Sequence, residues 1–251
     1  MCVTAHPDDE AGSFGGTLRK YSDQGVETCV VCLTSGQAAS HRGGAKSDHE
    51  LAEMRRKEFA ASCEILGVTR PVILNYPDGQ LYRQELNRVV YELTALVRDF
   101  CPHVLITLGA EGGVTGHPDH SMAGIFATLA FHWAGRANRY PDQLKNGPTP
   151  HITQKLYYQS AEAPLPNRPP ITLPPTTAVI DIGEQLQAKI AAFEAHKTQE
   201  PLWPIFRESL RRRGNVEMYH LAAVVERKEA LSETDLFAGV TEVEATPTKI
   251  A

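Results

Sequence analysis

The sequence predicts an α/β fold of the Rossmann-like, three-layer kind: a mainly parallel sheet between two layers of helices, in a single domain. Three observations lead there. Short apolar runs alternate with stretches of helical periodicity along most of the chain, the pattern of a parallel sheet with crossover helices. Residues 26–34 are nearly continuous in Val, Cys and Leu, as expected of a strand covered on both faces. Two clusters of ionisable side chains follow directly on β-type runs, His6-Pro7-Asp8-Asp9-Glu10 and His117-Pro118-Asp119-His120. Open parallel sheets bind ligands at such strand ends.

Taken in order, residues 1–5 form the first strand. A helix is expected over 13–24, stopped by Gly25, a residue suited to the left-handed position after a helix. The strand 26–34 leads into 35–46, a Gly-, Ser- and His-rich stretch expected as a flexible loop near the site. Ser47-Asp48-His49-Glu50 reads as a capping box that opens a helix to residue 66. Its buried stripe is Ala52, Arg55, Phe59, Cys63 and Leu66. Arg55 therefore lies on an apolar face, with Glu58 one turn on as a candidate partner. It serves either a structural ion pair or the anchoring of substrate oxygens.

A third strand over 71–75 ends in the turn Tyr76-Pro77-Asp78-Gly79. A helix over 84–100 and a strand over 103–108 precede the second cluster, and a helix over 119–133 starts directly on it. His6, Asp78 and His117 thus all lie just past strand ends, on one rim. Residues 134–150 read as a loop and 152–159 as a strand, followed by the proline-rich stretch 163–175, expected as extended surface chain. Elements over 179–181 (strand), 183–196 and 203–213 (helices) and 220–226 (strand) follow. The polar tail from 232 is expected to fray or to dock on a neighbour. Residues 134–251 are expected to form a cover over the rim.

The bulk numbers exclude several functions. With 251 residues and 42% hydrophobic content, the chain can bury a full core as one large domain. A net charge of −5, with no basic run longer than Arg211-Arg212-Arg213, disfavours nucleic acid and anionic membranes as partners. No apolar stretch is long enough to span a bilayer. A signal peptide is not expected ahead of a cluster that begins at residue 6. The five cysteines do not have the spacing of a disulfide framework, and Cys29 and Cys32, three apart in a strand, point to opposite faces. A cytoplasmic enzyme acting on a small molecule, with room for a homo-oligomer, is the resulting expectation.

The clusters carry the chemistry. Pro7 fixes the backbone between His6 and the aspartates, and a turn brings His6 and Asp9 to one side while Asp8 projects differently. With His120 as a third ligand, the set leaves a position open for water, the pattern of a catalytic zinc site. The same residue types also spell a facial triad of a non-haem iron oxygenase, with His6, Asp8 and a distant histidine. Against it stand the absence of a many-stranded all-β pattern and the surplus of acid–base groups. A non-catalytic sugar-binding module is a third reading, opposed by the presence of both Asp8 and His117.

The paired motifs resemble the LmbE/PIG-L family of zinc-dependent sugar N-deacetylases. The match extends to Leu51-Ala52-Glu53-Met54-Arg55 with Glu58, to Tyr76-Pro77-Asp78-Gly79 and to Gly116, and covers the chain to about residue 200. Ala195-His196-Lys197-Thr198-Gln199 also looks family-like, without an assigned role. The resemblance implies an LmbE-like fold and one Zn2+ per chain held by His6, Asp9 and His120. It implies Asp8 as general base, and His117 as the group that stabilises the oxyanion and protonates the leaving amine, oriented by Asp119. Arg55 and Asp78 would contact the sugar. The expected activity is removal of an N-acetyl group from an N-acetylglucosamine-type sugar or conjugate. Hydrolysis of a thiol-sugar conjugate amide is the alternative within the family.

Overall fold

Seven strands form one sheet in the order β3-β2-β1-β4-β5-β7-β6, in a computed structural model that describes residues 1–145, 147–161, 171–226 and 232–241. The strands are β1 (Cys2–Thr4), β2 (Cys29–Thr34), β3 (Arg70–Tyr76), β4 (Val104–Thr107), β5 (Lys155–Ser160), β6 (Ala178–Asp181) and β7 (Val216–Val224). All neighbouring pairs from β3 to β5 are parallel, and β7 runs antiparallel to both β5 and β6. The chain leaves β1 first towards β2 and β3, then returns to lay β4 on the other side. The reversal at β1/β4 opens a crevice at the carboxyl ends of those two strands.

Six helices cover the sheet: α1 (Asp9–Asp23), α2 (Asp48–Ile65), α3 (Leu86–Phe100), α4 (Pro118–Ala134), α5 (Leu186–Ala195) and α6 (Trp203–Arg213). Alternation along the strands separates two cores. Cys2, Val30, Cys32 and Ile106 face Phe14 of α1, Phe59 of α2, Phe193 of α5 and Phe206 of α6. Val3, Cys29, Val31 and Leu105 face Leu93 of α3 and Phe126 of α4. Cys29 and Cys32 lie in different cores, as the two-residue period of a strand requires. No helix among the described residues is long and apolar enough to cross a membrane.

Several boundaries differ from expectation. Helix α1 starts at Asp9 rather than at residue 13, so the first cluster is its first turn. Two carboxylates there, Asp9 and Glu10, suit the positive end of the helix dipole. The loop after β2 is not free: the backbone N–H of Ala38 donates to Asp78 and Gln199 donates to the carbonyl of His41. Residues 134–251 do more than cover the rim, since β5, β6 and β7 extend the sheet itself. Strand β7 begins four residues before the expected 220, because the buried Glu217 interrupts the apolar pattern that marks a strand. Of the proline-rich stretch, residues 163–170 lie outside the described residues, and 171–175 form neither helix nor strand. The tail docks on its own sheet: Glu233 bridges to Ala178 and Leu236 is buried. Residues 242–251 lie outside the described residues.

A buried ion pair splices α1 to the C-terminal third. Lys189 Nζ lies 2.5 Å from Glu217 and donates to the carbonyls of Ala11 and Gly12. Glu217 in turn accepts the N–H groups of Gly16 and Thr17. A glycine-rich helix turn that would be weak alone is thereby held by charges from α5 and β7. Removing one partner strands the other in the core, at a cost of about 3–5 kcal/mol. Glu217→Ala is expected to lower Tm by about 10 °C, at ~2–4 °C per kcal/mol for a chain of this size, as read by calorimetry. An unchanged Tm would show that the pair contributes nothing to holding α1.

Candidate active site

The crevice at the ends of β1 and β4 collects the ionisable residues of both clusters, joined by Asp78 after β3. Cys2–Thr4 delivers His6 two residues past β1, and Pro118 at the first turn of α4 sets the direction in which Asp119 and His120 leave the second loop. The rings of His6 and His117 lie 4.8 Å apart, and His120 is 5.2 Å from each. Ring nitrogens of these three approach one another within 4.8 Å, and so do His6, Asp78 and Asp119.

Asp9 joins the two loops. Its Oδ2 accepts the N–H groups of Ala5 (3.1 Å) and His6 (2.9 Å), and its Oδ1 lies 3.1 Å from His120 Nε2. Burial opposes its charge, but His120 and His6 hold its carboxyl below the usual range. His120 Nδ1 is turned to Thr115 Oγ1 and the Gly112 carbonyl, leaving Nε2 aimed into the crevice. His6 Nδ1 is 3.7 Å from Asp9, and its Nε2 faces Asp78 at 3.1 Å and Asp119 at 3.4 Å. Asp9 thus touches both His6 and His120 of the expected trio, but the sets whose ligand atoms all lie within 4.8 Å of one another are His6, His117 and His120, and His6, Asp78 and Asp119, and Asp9 is in neither.

Asp8 projects away from Asp9, as expected, but the reason is conformational. It sits at φ 115°, left-handed backbone that a non-glycine residue occupies only under constraint. Three contacts impose it. Glu10 accepts the Asp8 N–H at 2.9 Å, and Arg55 donates both to the Pro7 carbonyl and, at 2.8 Å, to the Asp8 carboxylate. Burial raises the Asp8 carboxyl to about 6 against the pull of Arg55.

Arg55 is 2% exposed. Its expected partner Glu58 is engaged elsewhere, accepting from the backbone and hydroxyl of Thr198; the true partner is Asp8, 47 residues away, which helical spacing could not reveal. Arg55 also donates to the Gly36 carbonyl at 3.1 Å. Asp119 departs from expectation in the same way. Its carboxylate accepts from the N–H groups of Gly79 and Leu81 rather than from His117. It is the backbone N–H of Asp119 that donates to His117 Nδ1, at 3.1 Å. That bond leaves the His117 proton on Nε2, and burial with the neighbouring His6 and His120 lowers the pKa. Both effects favour the uncharged ring.

Sequence reasoning assigned no role to Glu10 and His196. Both are fully buried, with His196 Nε2 2.7 Å from Glu10 Oε1. The signal was present in two places, Glu10 ending the first cluster and His196 in the segment 195–199, with nothing to connect them.

With this geometry in view, comparison with known proteins is consistent. Residues 1–131 match the family model PIG-L, GlcNAc-PI de-N-acetylase. A 1D-myo-inositol 2-acetamido-2-deoxy-alpha-D-glucopyranoside deacetylase from Catenulispora acidiphila is 31% identical over 96% of each chain. A diacetylchitobiose deacetylase from Thermococcus kodakarensis is 30% identical over 84% of this chain and 74% of its own. The solved N,N'-diacetylchitobiose deacetylase from Pyrococcus horikoshii superposes with a TM-score of 0.74 at 26% identity, covering 96% of this chain and 85% of that one.

Gly36 packs directly against the Arg55 guanidinium that holds Asp8. It has φ +64°, and a Cβ there would lie 2.0 Å from the Arg55 guanidinium. Gly36→Ala combines backbone strain with displacement of Arg55, and is expected to cost more than ~1 kcal/mol in denaturant unfolding. A loss within error would mean that the loop yields freely and does not brace Arg55.

Proposed function

The chain belongs to the PIG-L family of GlcNAc-PI de-N-acetylases, and on that premise we propose that it hydrolyses the N-acetyl amide of an N-acetylglucosamine-type sugar or sugar conjugate, using one bound Zn2+. The observation that carries this reading is the meeting of His6, Asp9, His117 and His120 at the β1/β4 crevice, with an acidic base held beside them. We assign His6, Asp9 and His120 as the metal ligands. The residues suit a cation: among the described residues the buried His6 Nε2 makes no hydrogen bond of good geometry, although Asp78 is 3.1 Å away. Burial opposes a charge on His6, yet Asp119, Asp78 and Asp9 raise it to about 10. The local field favours positive charge at that point. The α/β architecture also removes the support for an iron oxygenase, and Asp8 faces Arg55 rather than the histidines.

A bound zinc ion would lower the pKa of a water towards neutrality and polarise an amide carbonyl. The rest of the chemistry belongs to the chain. Asp8 accepts the proton of the attacking water. His117 Nε2–H donates to the carbonyl oxygen as negative charge develops there. The proton that Asp8 takes from the water is then available to the departing nitrogen. Arg55 holds the Asp8 carboxylate in place and keeps it from rising further, and Asp78 orients His6.

Release of acetate and of a free amine from N-acetylglucosamine derivatives, followed by mass spectrometry, tests the activity. No release across such a panel by zinc-loaded protein would overturn it. Asp8→Ala is expected to retain the metal and lose on the order of 10²–10⁴ in kcat, whereas Asp9→Ala loses the metal. The reverse pattern in elemental analysis would exchange their roles.

The pH profile supplies an independent check. The base must be ionised, so kcat falls as pH drops through the Asp8 pKa. With Asp8 at about 6 and a cation next to it, the acid limb lies at or below pH 6. Arg55→Ala removes the group that lowers this pKa, and is expected to move the limb to higher pH with a fall in kcat. A rise in KM alone, with the limb unmoved, would instead make Arg55 a sugar contact.

A further inference from the structure

We propose that Glu10, locked by His196 and Ser62, is a positioning residue that fixes the base Asp8 through its backbone. Through it, the end of α5 becomes part of the active site. This rests on the reading of Asp8 as the base, and deepens it.

The three side chains come from three separate elements and are all fully buried: Glu10 in α1, Ser62 in α2 and His196 just after α5. Glu10 Oε1 accepts from Ser62 Oγ at 2.6 Å and lies 2.7 Å from His196 Nε2. Those two bonds occupy one carboxylate oxygen and leave the other, Oε2, for the N–H of Asp8. A carboxylate held at one oxygen by two rigid partners cannot rotate, so its second oxygen is a fixed acceptor. The peptide N–H of Asp8 meets it while Asp8 holds the left-handed φ of 115°. Arg55 acts from the opposite side, on the Pro7 carbonyl and the Asp8 carboxylate. Arg55 thus holds the side chain of the base, and Glu10 holds its backbone.

A structural role alone does not account for this arrangement. Burying a carboxylate, an imidazole and a hydroxyl in a core is costly unless every partner is satisfied. Among the described residues His196 Nδ1 has no hydrogen-bond partner, so within them the network is incomplete as a stabilising device. What it does complete is the set of contacts on Asp8. Left-handed strain at a non-glycine residue is the kind of cost that persists where function requires it.

The test compares His196→Ala with His196→Gln, whose side-chain amide can still donate to Glu10. His196→Ala is expected to lose about 10²-fold in kcat, the usual cost of a misplacement near 1 Å. KM and zinc content per folded chain should stay as in the starting protein, and His196→Gln should recover most of the loss. Unchanged kcat per folded chain, a loss explained by released metal or raised KM, or no recovery with glutamine would each overturn the proposal. If His196→Ala does not fold, Ser62→Ala removes the other bond to Oε1. A severalfold fall in kcat at constant KM supports the proposal, and unchanged kcat sinks it. A crystal structure of the most severe soluble variant decides without any substrate. Asp8 is expected to leave the left-handed region, and its persistence at φ near 115° would overturn the positioning role. If the starting protein itself deacetylates nothing, the functional reading fails while this last measurement still judges the positioning.

Discussion

The site depends on one carboxylate. Asp9 spends Oδ2 on the N–H groups of Ala5 and His6 and points Oδ1 at His120 Nε2. The first pair of bonds ends β1 and turns the chain into α1. The other contact reaches the first turn of α4, more than a hundred residues away in sequence. It is joined across the two clusters by the approach of His6 Nε2 to Asp119, at 3.4 Å. The fold makes the meeting possible by placing β1 beside β4, where the strand order reverses and no helix blocks the crevice. Topology brings the loops together, and Asp9 sets their relative position to within a hydrogen bond.

Much of this was legible in the sequence because the informative residues were local. His6, Asp8 and Asp9 follow a strand within a few positions, as do His117, Asp119 and His120, and dense ligand types at strand ends are readable without knowing the partners. The burial of Arg55 was legible too, from the apolar stripe on which it lies. Its partner was not, since helical spacing names only residues one turn away, and the acceptor that matters is Asp8. Asp119 failed for a related reason. A side chain next to His117 looks like its orienter, but backbone N–H groups of Gly79 and Leu81, which no sequence pattern marks, compete for the same oxygens.

The remainder was illegible because buried charge mimics surface. Glu217 and Lys189 look like solvent-facing residues, and Glu217 blurred the start of β7. Glu10 and His196 were hidden in the same way. Pairs of this kind join segments far apart in sequence, and each partner becomes intelligible only beside the other.

The carboxylates around the crevice share one physical device. Asp9, Asp78, Asp119 and Glu10 all accept backbone N–H groups: two for Asp9, one from Ala38 for Asp78, two for Asp119 and one from Asp8 for Glu10. A backbone donor orients a carboxylate and favours its charged form without cancelling the charge. A lysine or arginine at each position would have oriented them as well, but would have neutralised the site. Among these carboxylates and Asp8, only Asp8, the proposed base, is bonded by an arginine, Arg55. Negative charge kept rigid by backbone donors is what a cation site requires. The division between the two kinds of partner parallels the proposed division between the groups that hold an ion and the group that works beside it.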